Sequence, residues 1–229
     1  MAIRNVFLDL DDTLFDYHKA ATIALKKALI QLDIVPDEEM IDRYSVIDEQ
    51  LWKMLEEKKL TREQVLTERF DILFSEFDVV CSSTRAVKVY RQLFCAELFF
   101  MPGALELLEA LHAIYDLYVV SNGDATVQDT RMKSTGIASY FKGVFISQQI
   151  GFDKPHPAFF EFCFSSIPHF KKEETIIIGD SLSADMKGGN NAGIYTCWFN
   201  PKGKERAEDV FVHYEVSHLH QIPDILAEM

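Results

Sequence analysis

Five short apolar runs punctuate the chain, at Val6–Leu10, Leu117–Val120, Val144–Ile146, Thr175–Ile178 and Tyr195–Phe199. They are nearly continuous rather than alternating, and rich in β-branched and aromatic residues, which suits parallel strands covered on both faces. Helical periodicity fills the gaps between the later runs. Leu105–Ile114 precedes the second run, Ala125–Ser134 follows it with Gly136 as a stop signal, Pro157 opens a stretch to Phe164, and Ala184–Asn191 ends near Gly193. Such alternation predicts an α/β fold built on an open, doubly wound, Rossmann-like parallel sheet.

The pattern changes between Asp16 and Phe99, where helical periodicity persists without a strand run. Ala20–Leu32 is one predicted helix, and Asp37–Lys58 a longer or broken one. Thr61-Arg62-Glu63-Gln64 reads as a capping box, followed by Val65, Leu66, Phe70, Leu73, Phe74 and Phe77 on one stripe. Ser82 or Ser83 is placed to cap a fourth helix through Phe94. The expected organisation is an α/β core over 1–15 and 100–229, interrupted by a helical cap over 16–99. Most of the insert's aromatics are expected in its own core.

Three strand ends and one loop carry reactive groups. Asp9-Leu10-Asp11-Asp12-Thr13 follows the first run, Ser121-Asn122-Gly123 the second, and Ile178-Gly179-Asp180-Ser181, with Asp185 beyond, the fourth; Lys154 lies in a loop after the third. In open α/β sheets the ligand crevice lies outside the carboxyl ends of the strands. Carboxylates crowded there repel one another unless a cation intervenes, and an oxygen-only donor set suits a hard divalent ion such as Mg²⁺. Singly each residue has a plain structural reading: acids cap turns, and a lone lysine is usually solvated. Jointly, at one edge of one sheet, they point to phosphate chemistry, with Ser121 and the N–H groups near Asn122 and Gly123 as a cradle for phosphoryl oxygens.

Charge narrows the partners. The 229 residues carry a formal charge of −13, which disfavours nucleic-acid polymers but leaves a small phosphorylated metabolite possible. No apolar run is long enough for a membrane span, and the N-terminus meets Asp9 too soon for a signal peptide, so a cytoplasmic location is expected; the sequence leaves monomer and homodimer both open. Cys81, Cys95, Cys163 and Cys197 form no CxxC pair and read as small buried hydrophobes.

The order of these motifs resembles the haloacid-dehalogenase-like phosphatases, with the helical insert where that family's cap lies. The resemblance implies Asp9 as nucleophile, Asp11 as general acid and then base, and Ser121 as phosphoryl ligand. It further implies that Lys154 steadies nucleophile and phosphate, and that Mg²⁺ is held by Asp9, the Asp11 backbone carbonyl and Asp180, with Asp185 in support. An acid two residues after the nucleophile favours phosphate esters, whose leaving oxygen needs a proton, over carbon–halogen bonds.

A finer resemblance, to the YjjG-type pyrimidine 5′-nucleotidases, rests on Asp9–Asp16, Gly188–Gly193 and Thr196-Cys197-Trp198-Phe199-Asn200. It implies hydrolysis of small nucleoside monophosphates. A phosphosugar or phosphoglycolate phosphatase is the rival on the same core, and a catalytically silent binding module the rival from another class. Trp198 is read as strand-end packing or a substrate contact, and His213, His218 and His220 as part of an exposed tail.

Overall fold

The computed structural model describes residues 2–207 and 209–229. Two compact units emerge, one comprising the chain up to Asp16 and from Phe100 onward, the other Tyr17–Phe99.

The first unit is built on a sheet whose strands run β1 (Asn5–Leu8), β2 (Asp116–Ser121), β3 (Gly143–Ile146), β4 (Thr175–Gly179), β5 (Tyr195–Phe199) and β6 (Tyr214–Val216). All pairings are parallel, in the order β3-β2-β1-β4-β5-β6. Successive side chains along each strand face opposite sides. Val6 and Leu8 of β1, with Ile176 and Ile178 of β4, join one apolar layer, whereas Phe7 and Ile177 join the other. The first layer is closed by Leu107, Leu108 and Leu111, and by Ile222 and Leu226. Phe159, Phe160 and Cys163 close the second. Full burial of one such phenylalanine is worth about 1.5–3 kcal/mol, so the double cover is what keeps four consecutive β1 side chains out of water. Between β1 and β4 the strand order reverses direction, and in open α/β sheets it is outside the carboxyl ends at such a reversal that ligands bind.

The second unit contains helices α1 (Tyr17–Gln31), α2 (Glu38–Glu56), α3 (Arg62–Glu76) and α4 (Ser83–Phe94). The starts of α2, α3 and α4 are those the sequence predicts, whereas α1 begins at Tyr17, three residues before the expected Ala20. Asp37 caps α2, Thr61 and Gln64 make the reciprocal capping box of α3, and Ser82 caps α4. The interior is aromatic, with Tyr44, Phe70 and Tyr90 in mutual ring contact. Inside it Arg69 donates to Asp48 at 2.9 Å and Tyr17 donates to the same carboxylate at 2.6 Å.

In the first unit the remaining helices are α5 (Ala104–Leu111), α6 (Ala125–Thr135), α7 (Ser147–Ile150), α8 (Pro157–Ser166), α9 (Lys187–Ala192) and α10 (Ile222–Ala227). Gly136 and Gly193, at φ 77° and 73°, end α6 and α9 in the left-handed conformation. Two expectations are corrected. The C-terminal histidine segment is not an exposed tail: β6 pairs with β5, and Ile222 and Leu226 are buried, because three-residue β6 is too short to stand out in the sequence. Only Cys163 and Cys197 are buried, whereas Cys81 and Cys95 are half-buried. No helix among the described residues is long and apolar enough to cross a membrane.

Candidate active site

The site grows from the carboxyl end of β1. Asp9 continues the strand's bonding, donating its backbone N–H to Ile178 of β4 at 3.0 Å, so its side chain emerges at the strand reversal. Asp12 then takes φ 57°, and both Leu14 and Phe15 return their N–H groups to the carbonyl of Leu10. This tight turn brings Thr13 Oγ1 within 3.3 Å of Asp9 Oδ2, and the Asp180 N–H donates to the same hydroxyl at 3.1 Å. One threonine thus ties the β1 and β4 loops together.

Lys154 is almost completely buried and points into the same place. Its Nζ donates to Asp9 Oδ1 at 2.7 Å, to Asp185 Oδ1 at 2.6 Å and to the Val120 carbonyl at 2.7 Å. All three ammonium protons are therefore occupied. Asn122 supplies the lever that holds the loop. Its side chain accepts from the Lys154 N–H at 2.8 Å and donates to the Lys154 carbonyl at 2.9 Å. Asn122 therefore acts in this structure by pinning the lysine's backbone. Ser121 Oγ accepts from the Gly123 N–H at 3.1 Å and from Gln128 Nε2 at 3.2 Å, which leaves its own proton to donate.

Asp185 sits under the end of β4, where its second oxygen accepts from the Ser181 N–H at 3.2 Å. Gly179 makes that possible, since a Cβ at this position would overlap the Asp185 carboxylate. The following chain, Leu182–Met186, forms a single wide π turn capped by Ser181, which accepts from Ala184 at 3.0 Å. Trp198 has a buried structural place: its indole N–H donates to the Asp180 carbonyl at 2.8 Å and so fixes the β4 loop.

Asp9, Asp180 and Asp185 each offer a carboxylate oxygen, and these atoms lie within 4.8 Å of one another. The electrostatic consequence is clear. Burial pushes the Asp9 carboxyl up to about 7, against the pull of Lys154 and with the help of Asp185. Burial, then Asp9, Asp12 and Asp185, push Asp180 well above the carboxylate range. Lys154 is held above its usual value because Asp185 and Asp9 outweigh the effect of its burial. One ammonium does not neutralise three acids, and an all-oxygen donor set with surplus negative charge fits a hard divalent cation.

Asp11 projects beside this group, and two residues of α6 that the sequence reading did not single out hold it. Gln128 Nε2 donates to Asp11 Oδ2 at 2.5 Å, and Arg131 Nη1 donates to Asp11 Oδ1 at 2.5 Å. Their burial on α6 is visible only in the fold, since a glutamine and an arginine in a helix ordinarily face water.

Against known proteins, the family model of the haloacid dehalogenase-like hydrolases matches residues 6–199, which spans every group just described. The chain belongs to the haloacid dehalogenase-like hydrolases. Among these hydrolases it is similar to YfnB of Bacillus subtilis (strain 168), 35% identical over 97% of this chain and 95% of that protein. The crystal structure of YfnB bound to magnesium superposes with a TM-score of 0.95, covering 99% of both chains. It is also similar to the pyrimidine 5′-nucleotidase PynA of Streptococcus pneumoniae (strain ATCC BAA-255 / R6), 36% identical over 99% and 96% of the two chains. The pyrimidine 5′-nucleotidase YjjG of Escherichia coli (strain K12) is 25% identical over 97% of each.

Proposed function

We propose that this hydrolase is a Mg²⁺-dependent phosphomonoesterase of the cytoplasm, acting on pyrimidine nucleoside 5′-monophosphates through an aspartyl-phosphate. The observation that carries the reading is Asp9 itself: a buried carboxylate gripped by Lys154 at 2.7 Å, with the Ser121 hydroxyl at the end of the neighbouring strand. Lys154 and Thr13 fix the two Asp9 oxygens, so one of them is presented to phosphorus in a defined direction. As the Asp9 oxygen bonds to phosphorus, the bond to the leaving oxygen breaks, and Asp11 delivers the proton that this oxygen requires. Asp11 then removes a proton from the water that attacks the aspartyl-phosphate, returning phosphate and free Asp9. The free proton of Ser121 is available to a phosphoryl oxygen.

Mg²⁺ bound by Asp9, Asp180 and the Asp11 carbonyl, with Asp185 in support through Lys154, would supply positive charge against the phosphoryl oxygens. The names of PynA and YjjG support the nucleotide as substrate, as does the Cys197-Trp198-Phe199-Asn200 segment. The insert over 16–99 is proposed as the cap that selects the leaving group. A panel of monophosphates assayed with Mg²⁺ and with EDTA tests the reading. The expected result is Mg²⁺-dependent turnover with UMP, dUMP and dTMP ahead of phosphoglycolate and hexose phosphates. Reversal of that order would reject the nucleotidase, and turnover in EDTA would reject the metal.

A further inference from the structure

Asp11 is half-buried, and it directly precedes the residue at φ 57°, where the chain turns sharply. A general acid must nevertheless sit within hydrogen-bond reach of one particular oxygen. What holds it comes from α6. Gln128 and Arg131, at i and i+3 on one face, are 1% and 0% exposed. Gln128 Oε1 accepts from Arg131 Nη1 at 3.2 Å, which fixes the amide's sense. Its Nε2 is then committed to Asp11 at 2.5 Å and Ser121 at 3.2 Å. Arg131 completes the grip on the other Asp11 oxygen, and its guanidinium lies over the Phe15 ring, 4.4 Å from the centroid. Phe15 is itself stacked on Phe100. Gly123 is part of the same device, because a Cβ there would overlap the Gln128 side chain.

We infer that Gln128 and Arg131 are positioning residues: together they orient the Asp11 carboxylate and register it against the Ser121 hydroxyl, so that proton donor and phosphoryl ligand move as one unit. The inference rests on the reading of Asp11 as the acid–base group. It predicts an effect on turnover rather than on binding, and one that shrinks once Asp11 is no longer there to be oriented.

The test is a double-mutant cycle on the full chain with Mg²⁺, using UMP as substrate and thermal melting as the fold control. Gln128→Leu and Arg131→Met should each lower kcat by about ten- to a hundred-fold, part of the range general acid–base assistance supplies, while KM moves by less than about threefold. In an Asp11→Asn background Arg131→Met should change kcat by less than about twofold, and Gln128→Leu by at least about threefold less than in the wild type, the remainder acting through Ser121. Wild-type kcat in Gln128→Leu, or a loss that multiplies fully on Asp11→Asn, overturns the inference. If Arg131→Met melts below the assay temperature, Gln128→Leu decides, since it strands no charge. An Asp11→Asn enzyme with wild-type kcat would show that the assignment of Asp11 has failed, and the positioning role would fall with it.

Discussion

Both units bury ionised side chains, and the two clusters are built differently. In the helical unit Asp48 meets Arg69 at 2.9 Å with Tyr17 as a second donor, one carboxylate against one guanidinium. Arg69 also lies over the Tyr90 ring at 4.7 Å, which further solvates its charge. That cluster is balanced. At the sheet rim Lys154 serves both Asp9 and Asp185, and Asp180 adds a third acid. That cluster is in surplus, and burial together with the neighbouring acids pushes the Asp9 carboxyl up to about 7 and raises that of Asp180 well above its ordinary value. A balanced buried pair is a structural solution, whereas an unbalanced one is waiting for a cation or a proton. Charge balance thus distinguishes the site from the scaffold.

Substitutions should break the two clusters in different ways. The largest effect is expected from Asp9→Asn, which removes the proposed phosphoryl acceptor. Turnover of UMP should fall by more than about a thousandfold while the circular-dichroism spectrum stays native. Asp48→Leu should do the converse. Stranding the buried Arg69 costs about 3–5 kcal/mol, read as a fall in unfolding midpoint, and Arg69→Met added to it should recover most of that loss. An Asp48→Leu protein as stable as wild type would mean the pair is not the balanced scaffold described above.

pH sharpens the same contrast. Asp9 is raised in the fold from its ordinary 3.8 to about 7, so the metal-free folded state holds a proton there that the unfolded chain has already released. The stabilisation is present below about 4 and lost as pH rises to about 7, so metal-free protein should melt lower at pH 8 than at pH 5. Mg²⁺ should flatten that slope, and Asp9→Asn should remove much of it. A slope unchanged by both would contradict the assignment of the surplus charge. The smallest expected effect lies in the helical unit, where Thr61→Ala removes a capping box and should cost about 0.5–2 kcal/mol with turnover unchanged.

Much of this was legible in the chain itself, and the reasons are local. The β1, β2, β4 and β5 runs are buried on both faces, so their apolar character is nearly unbroken, and Asp37, Thr61 and Ser82 are caps whose side chains act within three residues. Asp9, Ser121 and Lys154 were visible because each follows a strand that must end at the same rim. What escaped was non-local. Gln128 and Arg131 matter through contacts 117 and 120 residues away, and a helix pattern does not say that its polar face turns inward. The backbone N–H near Asn122 is expected beside phosphate from its place at a strand end; that its side chain also braces the Lys154 loop is a contact 32 residues away that the sequence does not show. Strand β6 escaped because three residues at a sheet edge carry too little pattern.

The proposed chemistry turns on Asp9 as the acceptor of the phosphoryl group. Asp11→Asn protein mixed with an aryl phosphate and Mg²⁺, whose leaving group needs no proton, should accumulate the covalent intermediate because the base for its hydrolysis is missing. Acid quenching, proteolysis and mass spectrometry should then place phosphate on the peptide containing Asp9, in a form released by hydroxylamine. Aryl phosphate consumed with no phosphorylated peptide, or with the phosphate on Ser121, would contradict the account.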